Sequence, residues 1–174
     1  ELKDNEYMYD RKDDILKYLS SSHINMINCP PGRGKTTFFN KLYINENKRM
    51  CVIQPYKSIV KSKYKGINCH LCVEKQKIQP EFEYVITHYD NFCHAYEHNQ
   101  LGNYDYIVID ESHLLGTQTF RSNIMLKTIK YIEQYNEDNP NVKIVLMTGT
   151  PTNETALFKN IDTFIDIKFN DNKF

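Results

Sequence analysis

His23-Ile-Asn-Met-Ile-Asn28 runs directly into Cys29-Pro-Pro-Gly-Arg-Gly-Lys-Thr36 and then Thr37-Phe-Phe-Asn-Lys-Leu-Tyr43. The first stretch has the length and apolar content of a short buried strand, and the last carries apolar residues at helical spacing. Between them lies a Pro-Gly loop, so the unit reads as strand, glycine loop, helix. Gly32 and Gly34 allow backbone angles closed to other residues, so that successive amide groups can turn inward toward phosphate oxygens. The helix that follows adds the positive end of its dipole. Pro31, Gly32, Arg33, Gly34, Lys35, Thr36 and Thr37 are therefore the candidate nucleotide-binding residues, with Lys35 on the terminal phosphates and the Thr36 hydroxyl on magnesium. The general pattern for such a loop has glycine where this chain has Cys29.

The same alternation extends in both directions. An amphipathic helix is expected over Asp10–Leu19, then a strand over His23–Asn28 and a helix over Lys35–Tyr43. Beyond the polar run Asn45–Lys48 the chain reads as strand Met50–Gln54, helix Tyr56–Tyr64, strands Ile67–Val73 and Tyr84–Thr87, and helix Tyr89–Glu97. Strand Tyr106–Asp110, helix Phe120–Tyr135, strand Lys143–Thr148, a short turn or helix near Glu154 and a last strand Phe164–Ile167 complete the series. Apolar runs such as Tyr106-Ile-Val-Ile109 and Val142-Lys-Ile-Val-Leu-Met147 are nearly continuous, as in strands buried on both faces. Alternating β and α elements imply an α/β fold, a mostly parallel central sheet with helices on both faces.

A second site falls at the end of one such strand, in Val108-Ile-Asp-Glu-Ser-His113. In an open α/β sheet, ligands bind beyond the carboxyl ends of the strands, which is also where the glycine loop lies. Asp110 is thus expected to face the magnesium held by Thr36, and Glu111 to polarise an attacking water. Lys35, Asp110, Glu111 and His113 form the candidate catalytic set.

These two motifs resemble those of the superfamily two DExH-box helicases and translocases, whose first motif is often A-x-x-G-x-G-K-T and whose second is D-E-x-H. The resemblance implies a RecA-like P-loop NTPase domain that uses ATP and magnesium. Met147-Thr-Gly-Thr-Pro-Thr152 is similar to the family's third motif, which makes Thr148, Gly149 and Thr150 the coupling residues, with the threonine hydroxyls bonding around Glu111 and His113. Val52-Ile-Gln-Pro-Tyr-Lys57 and Ile86-Thr-His-Tyr-Asp90 are similar to two motifs that grip a nucleic-acid backbone. Pro55, Tyr56, Lys57, Thr87, His88 and Tyr89 become candidate nucleic-acid contacts, through phosphates or base stacking. Many relatives carry R-x-x-Q before the first helix to read adenine; Arg11-Lys-Asp-Asp14 places Asp14 at the glutamine position.

The resemblance makes residues 1–174 one RecA-like domain, the first motor half, and puts the second, which closes over the nucleotide and brings arginine fingers, outside the chain. The implied function is ATP hydrolysis coupled to strand separation or translocation along DNA or RNA. A nucleotide-switched binding module is the alternative of another class.

Composition narrows the rest. At 174 residues the chain suits one domain, and its 22 basic and 22 acidic residues supply no overall positive field, so contact with nucleic acid must come from a local strip. No run approaches the roughly 20 apolar residues that span a bilayer, and no membrane partner is expected. Five scattered cysteines suit a reducing compartment, hence an intracellular, cytoplasmic or nuclear location, for a cellular, viral or phage protein. Beginning at Glu1 suggests an excised fragment. Cys69-His-Leu-Cys72 has the spacing of half a zinc site, but Cys93, His94 and His98 make an irregular second half, and zinc is not expected. Arg121, near the start of the long helix, is a candidate contact to nucleic acid or to the missing domain.

Overall fold

The burial pattern of the strands decides how the chain folds. Met50, Val52, Tyr106, Val108, Val145 and Met147 pack into one hydrophobic cluster, whereas Cys51, Ile53, Ile107, Ile109, Ile144 and Leu146 pack into another. Successive side chains of a strand point to opposite faces, so a strand that is apolar at every position requires cover on both sides. In the computed structural model, which describes residues 2–3, 6–64, 67–117, 122–150 and 154–168, that cover is provided by helices.

Seven strands among the described residues form one sheet: β1 (Ile24–Asn28), β2 (Met50–Gln54), β3 (His70–Cys72), β4 (Tyr84–His88), β5 (Tyr106–Ile109), β6 (Lys143–Thr148) and β7 (Ile161–Asp166). Their order is β3-β4-β2-β5-β6-β1-β7, and every pairing is parallel. A 3₁₀ turn, Met8–Arg11, leads into α1 (Lys12–Leu16); α2 (Lys35–Glu46), α3 (Lys57–Lys63), α4 (Tyr89–Glu97), α5 (Leu114–Thr117), α6 (Ser122–Asp138) and α7 (Glu154–Leu157) follow. Phe38, Phe39 and Leu42 of α2 join the first cluster, and Phe92 and Ala95 of α4 with Met125, Ile129 and Ile132 of α6 join the second. The expected α/β architecture, a parallel sheet with helices on both faces, is the observed one.

Several expected boundaries shift, each for a local reason. The helix expected over Asp10–Leu19 divides into the 3₁₀ turn and one short α-helix, after which Tyr18 and Leu19 donate to Ile15 and Leu16 in tighter i−3 bonds. The strand expected over Ile67–Val73 keeps only its last part, because β3 pairs with β4 from His70 to Cys72. The last strand begins at Ile161, earlier than Phe164, because the register with β1 pairs Ile24 with Ile161 and Asn28 with Asp166. The long helix runs to Asp138 from Ser122, and Phe120 and Arg121 lie outside the described residues. Leu114–Thr117 forms a short helix that periodicity does not indicate.

Asn25 holds the first strand in place from within. Its amide is fully buried, accepts from the Ser20 N–H at 2.9 Å and donates to the carbonyls of Ser20 at 2.7 Å and Ile144 at 2.9 Å. A third donation reaches His23 O at 3.3 Å. The turn that feeds β1 is thereby tied to β6.

Candidate active site

Strand order brings three motifs to one edge. β6 lies between β5 and β1, so the segments that follow these strands (the residues after Ile109, Thr148 and Asn28) emerge side by side at the carboxyl end of the sheet. Backbone bonds fasten them together: Cys29 N–H donates to Thr148 O at 2.8 Å and Ser112 N–H to Met147 O at 2.9 Å.

The glycine loop takes the shape its residues allow. Gly32 and Gly34 have φ of 78° and 81°, angles that a side chain would strain. Gly34 caps α2, with Phe38 N–H donating to Gly34 O at 2.8 Å, and the buried side chains of Phe38, Phe39 and Leu42 anchor that helix to the sheet. Lys35 Nζ rests on the carbonyl of Cys29 at 2.9 Å. Cys29 itself is fully buried, and burial pushes its thiol up to about 11 although Lys35 and Arg33 pull the other way. It fills the apolar floor of the loop as a protonated thiol.

Gly149 lies in a tight approach between the third motif and the loop. A Cβ at this position would lie 3.2 Å from Lys35 Nζ, 3.3 Å from Cys29 O and 3.6 Å from Pro31 Cδ. The third motif therefore packs directly against the lysine of the first. Thr148 is buried, and its hydroxyl lies 3.2 Å from His113 Nδ1 and accepts from Thr150 N–H at 3.1 Å. His113 Nδ1 is also 3.6 Å from a Glu111 carboxylate oxygen. The Thr148 hydroxyl thus lies near His113 as expected, whereas Thr150 takes part through its backbone; Pro151 and Thr152 lie outside the described residues.

Asp110 is almost wholly buried. One of its oxygens accepts Glu111 N–H at 3.0 Å and the other accepts Gln54 Nε2 at 2.9 Å. Glu111 has φ of 51°, in the left-handed region that a glutamate rarely occupies. Such strain persists only where the surroundings hold it, and it collects at functional positions.

A cavity of about 640 Å³ is lined by Pro31, Gly32, Gly34, Lys35, Thr36, Thr37 and Glu111 together with Tyr7, Tyr9, Asp10 and Lys41. A smaller one of about 10 Å³ is lined by Lys35, Thr36, Tyr64 and Asp110, among others, so Thr36 and Asp110 border the same space. A hydroxyl and a carboxylate are hard oxygen donors, and magnesium is commonly held by one or two carboxylates with substrate phosphates completing its shell. The donor set fits that ion. Among the described residues no group of three or more His, Cys, Asp and Glu side chains is placed to hold a metal by itself.

Tyr7, Tyr9 and Lys41 carry no motif that singles them out in the sequence. They reach the cavity because Met8 N–H donates to Arg33 O at 3.1 Å, which lays the N-terminal segment across the loop, and because Tyr7 packs on Gly34, whose missing Cβ would lie 3.5 Å from the tyrosine. An aromatic residue next to a short helix is the one available signal. Asp14, at the adenine-reading position of the resembled motif, does not line this cavity. It is paired with Arg11 at 2.8 Å and Lys17 at 3.2 Å, and these cations, Lys17 foremost, hold its carboxyl below the ordinary value.

The six expected nucleic-acid contacts divide. Tyr56 and Lys57 are exposed at the start of α3, beyond the end of β2, and Pro55 beside them is buried. Thr87, His88 and Tyr89 are buried. Thr87 donates to Cys72 O at 2.8 Å, His88 caps α4 by accepting Asn91 N–H, and the Tyr89 ring belongs to the core. Packing and capping engage these three side chains. Cys69 and Cys72 sit beside and within β3, where His70 stacks on Phe82 at 3.7 Å. No described helix is long and apolar enough to cross a membrane.

Comparison with known proteins bears on the family and the fold. No curated protein sequence matches. Among solved structures, a variant of S. cerevisiae Dbp5 bound to Nup159, Gle1, IP6 and ADP is similar at a TM-score of 0.63 and 14% identity, over 92% of this chain and 47% of that one. S. cerevisiae Dbp5 bound to RNA and ADP BeF3 is similar at a TM-score of 0.57 and 14% identity, over 83% of this chain and 42% of that one. The chain thus spans less than half the length of these proteins, and at this identity the likeness concerns the RecA-like fold. A family model described as DEAD/DEAH box helicase matches residues 11–158, and by that match, across the glycine loop and the Asp-Glu strand end, the chain belongs to the DEAD/DEAH box helicase family.

Proposed function

We propose that this chain is the ATP-binding motor half of a nucleic-acid-stimulated ATPase of the DExH type, coupling hydrolysis to strand separation or translocation on DNA or RNA. One observation carries the reading: Lys35, Thr36 and a backbone-strained Glu111 line one cavity at the carboxyl edge of the sheet. A phosphate loop alone would suit many nucleotide-binding proteins. A strained glutamate opposite it suits one that activates water.

Each residue has a distinct task. Lys35 leaves the Cys29 carbonyl and pairs with the terminal phosphates, while the amide groups of Gly32 to Thr36 and the α2 dipole hold the remaining charge. Thr36 and Asp110 would hold magnesium, which when bound neutralises charge on the phosphate oxygens. Glu111 orients water for in-line attack; as the new bond to the terminal phosphorus forms, the bond to the ADP oxygen breaks and the water proton passes to the carboxylate. His113 and Thr148 brace that carboxylate from behind. At the rim, exposed Tyr7 offers a ring face to the base.

Tyr56 and Lys57 supply a cation, a hydroxyl and an aromatic face for a nucleic-acid backbone, and RNA in the Dbp5 complex makes it a natural first track to test. A second RecA-like domain outside residues 1–174 would complete the site with an arginine, and without it hydrolysis is expected to be roughly 10³-fold or more slower. The reading also places the protein inside the cell, where its nucleotide and track are found.

Binding of a fluorescent ATP analogue to the chain, with and without Lys35→Ala, tests the site; affinity is expected to fall at least tenfold. Hydrolysis by the chain joined to its second domain, with and without single-stranded RNA or DNA, tests the motor. Unchanged binding in the lysine variant would refute the site, and a rate indifferent to every nucleic acid would refute the motor.

A further inference from the structure

Gln54 is the last residue of β2 and is fully buried among apolar neighbours. A buried amide is expensive to place unless it is hydrogen-bonded, so its partners matter. Gln54 Nε2 donates to Asp110 Oδ2 at 2.9 Å and to the hydroxyl of Tyr64 at 2.6 Å. An ionised carboxylate accepts only, so the amide nitrogen has to face Asp110, and Oε1 is left with no hydrogen-bond partner among the described residues. Tyr64 is itself buried at the end of α3. Lys35, Thr36, Tyr64 and Asp110 share the small cavity beneath the phosphate loop.

We propose that Gln54 and Tyr64 are positioning residues that hold Asp110 and Thr36, the two expected magnesium ligands, in their mutual geometry. The inference rests on the reading of the site given above. Neither residue needs to touch the nucleotide. Gln54 fixes which lone pairs of Asp110 are spoken for: with Oδ1 bonded to Glu111 N–H and Oδ2 to the amide, rotation of the carboxylate is blocked from both sides. Tyr64 accepts from that amide and borders the same small cavity as Thr36, so both ligands have a backing within the protein. Partners of this kind, one shell out from a metal, set the orientation of its ligands and commonly change metal affinity by about 10- to 100-fold when removed.

The arrangement also reaches the proposed nucleic-acid loop. Gln54 is bonded to Pro55, and Tyr64 ends the helix that Tyr56 begins, so both anchors belong to the segment that carries Tyr56 and Lys57.

The test is the affinity of the chain for fluorescent ADP, titrated over magnesium concentration and repeated in EDTA, for Gln54→Leu and Tyr64→Phe. Gln54→Leu is expected to raise the magnesium concentration at half-effect about tenfold, with affinity in EDTA within about twofold of the parent. Tyr64→Phe keeps the ring and its packing and is expected to shift the same midpoint by a smaller factor in the same direction; it decides the matter if Gln54→Leu fails to fold. Lower melting temperatures with an unmoved magnesium midpoint would mean that the pair only packs, and would overturn the proposal. A parent chain that binds ADP with no response to magnesium would instead refute the magnesium reading of Thr36 and Asp110, and the proposal with it.

Discussion

Replacing Glu111 by glycine and by alanine separates backbone strain from side-chain chemistry, because both variants lose the carboxylate but only glycine relaxes the backbone. At φ of 51° a residue with a Cβ costs about 1 kcal/mol relative to glycine, which adopts this region freely. Both substitutions remove the same pairing: the carboxylate lies 3.6 Å from His113 Nδ1 with a third of the glutamate side chain exposed, an interaction worth a few tenths of a kcal/mol at about the surface value. The bonds from Glu111 N–H to Asp110 and from Leu114 N–H to Glu111 O are made by the backbone and survive both changes. Glu111→Gly should therefore exceed Glu111→Ala in stability by about 1 kcal/mol, or roughly 2–4 °C in Tm for a domain of this size. At an ordinary negative φ the order reverses, since glycine costs about 0.5–1 kcal/mol relative to alanine. Urea denaturation of the nucleotide-free chain measures the difference, and its sign decides. An alanine variant as stable as the glycine variant, or more so, would refute the strain. Both variants should lose hydrolysis by about 10²-fold or more, so that any stability gained accompanies lost function.

Two further outcomes follow from buried groups. Asn25→Leu should cost about 3 kcal/mol, because the Ser20 N–H and the carbonyls of Ser20 and Ile144 lose their partner inside the protein; a loss below about 1 kcal/mol in urea, at unchanged m-value, would show that these bonds contribute little. Burial raises the thiols of Cys29, Cys69, Cys72 and Cys93 from their ordinary value to about 11. A raised folded-state pKa contributes stability that is fully present below the unfolded value, near 9, and is lost as pH climbs from there toward 11. The stability difference between Cys29→Ala and the parent should consequently be constant up to about pH 8 and shift in favour of the variant between pH 9 and 11. A difference that stays level across that range would refute the assignment.

Much of the fold was legible because its signals are local. A parallel strand buried on both faces has to be apolar at nearly every position, and Tyr106–Ile109 and Lys143–Thr148 are. The glycine loop was legible for a similar reason: φ values of 78° and 81° at Gly32 and Gly34 confine the choice of residue within a few positions. β7 was harder to bound, since one face is exposed and the strand alternates, with Asp162 and Phe164 outward and Ile161 and Ile165 partly covered. Its start is set by register with β1, a partner more than a hundred residues away.

Ile86–Asp90 shows how packing settles the surroundings of side chains that their sequence neighbours leave open. Ile86-Thr-His-Tyr-Asp90 has hydroxyls and rings suited to a strand of nucleic acid, yet these lie at the junction of β4 and α4, where the turn into the helix directs Thr87 toward Cys72 and Tyr89 into the core. Gln54 shows the converse. Within Met50–Gln54 it reads as the polar end of an apolar strand, and Tyr64 as one more ring near the end of a helix. Nothing in their sequence separation pairs them with Asp110; that pairing arises because β5 lies next to β2 and because the Tyr64 hydroxyl at the end of α3 accepts from the Gln54 amide. A buried amide whose nitrogen serves both a carboxylate and a phenol, while its oxygen goes without, is a poor solution for stability alone. It makes physical sense when the geometry of Asp110 is what has to be kept.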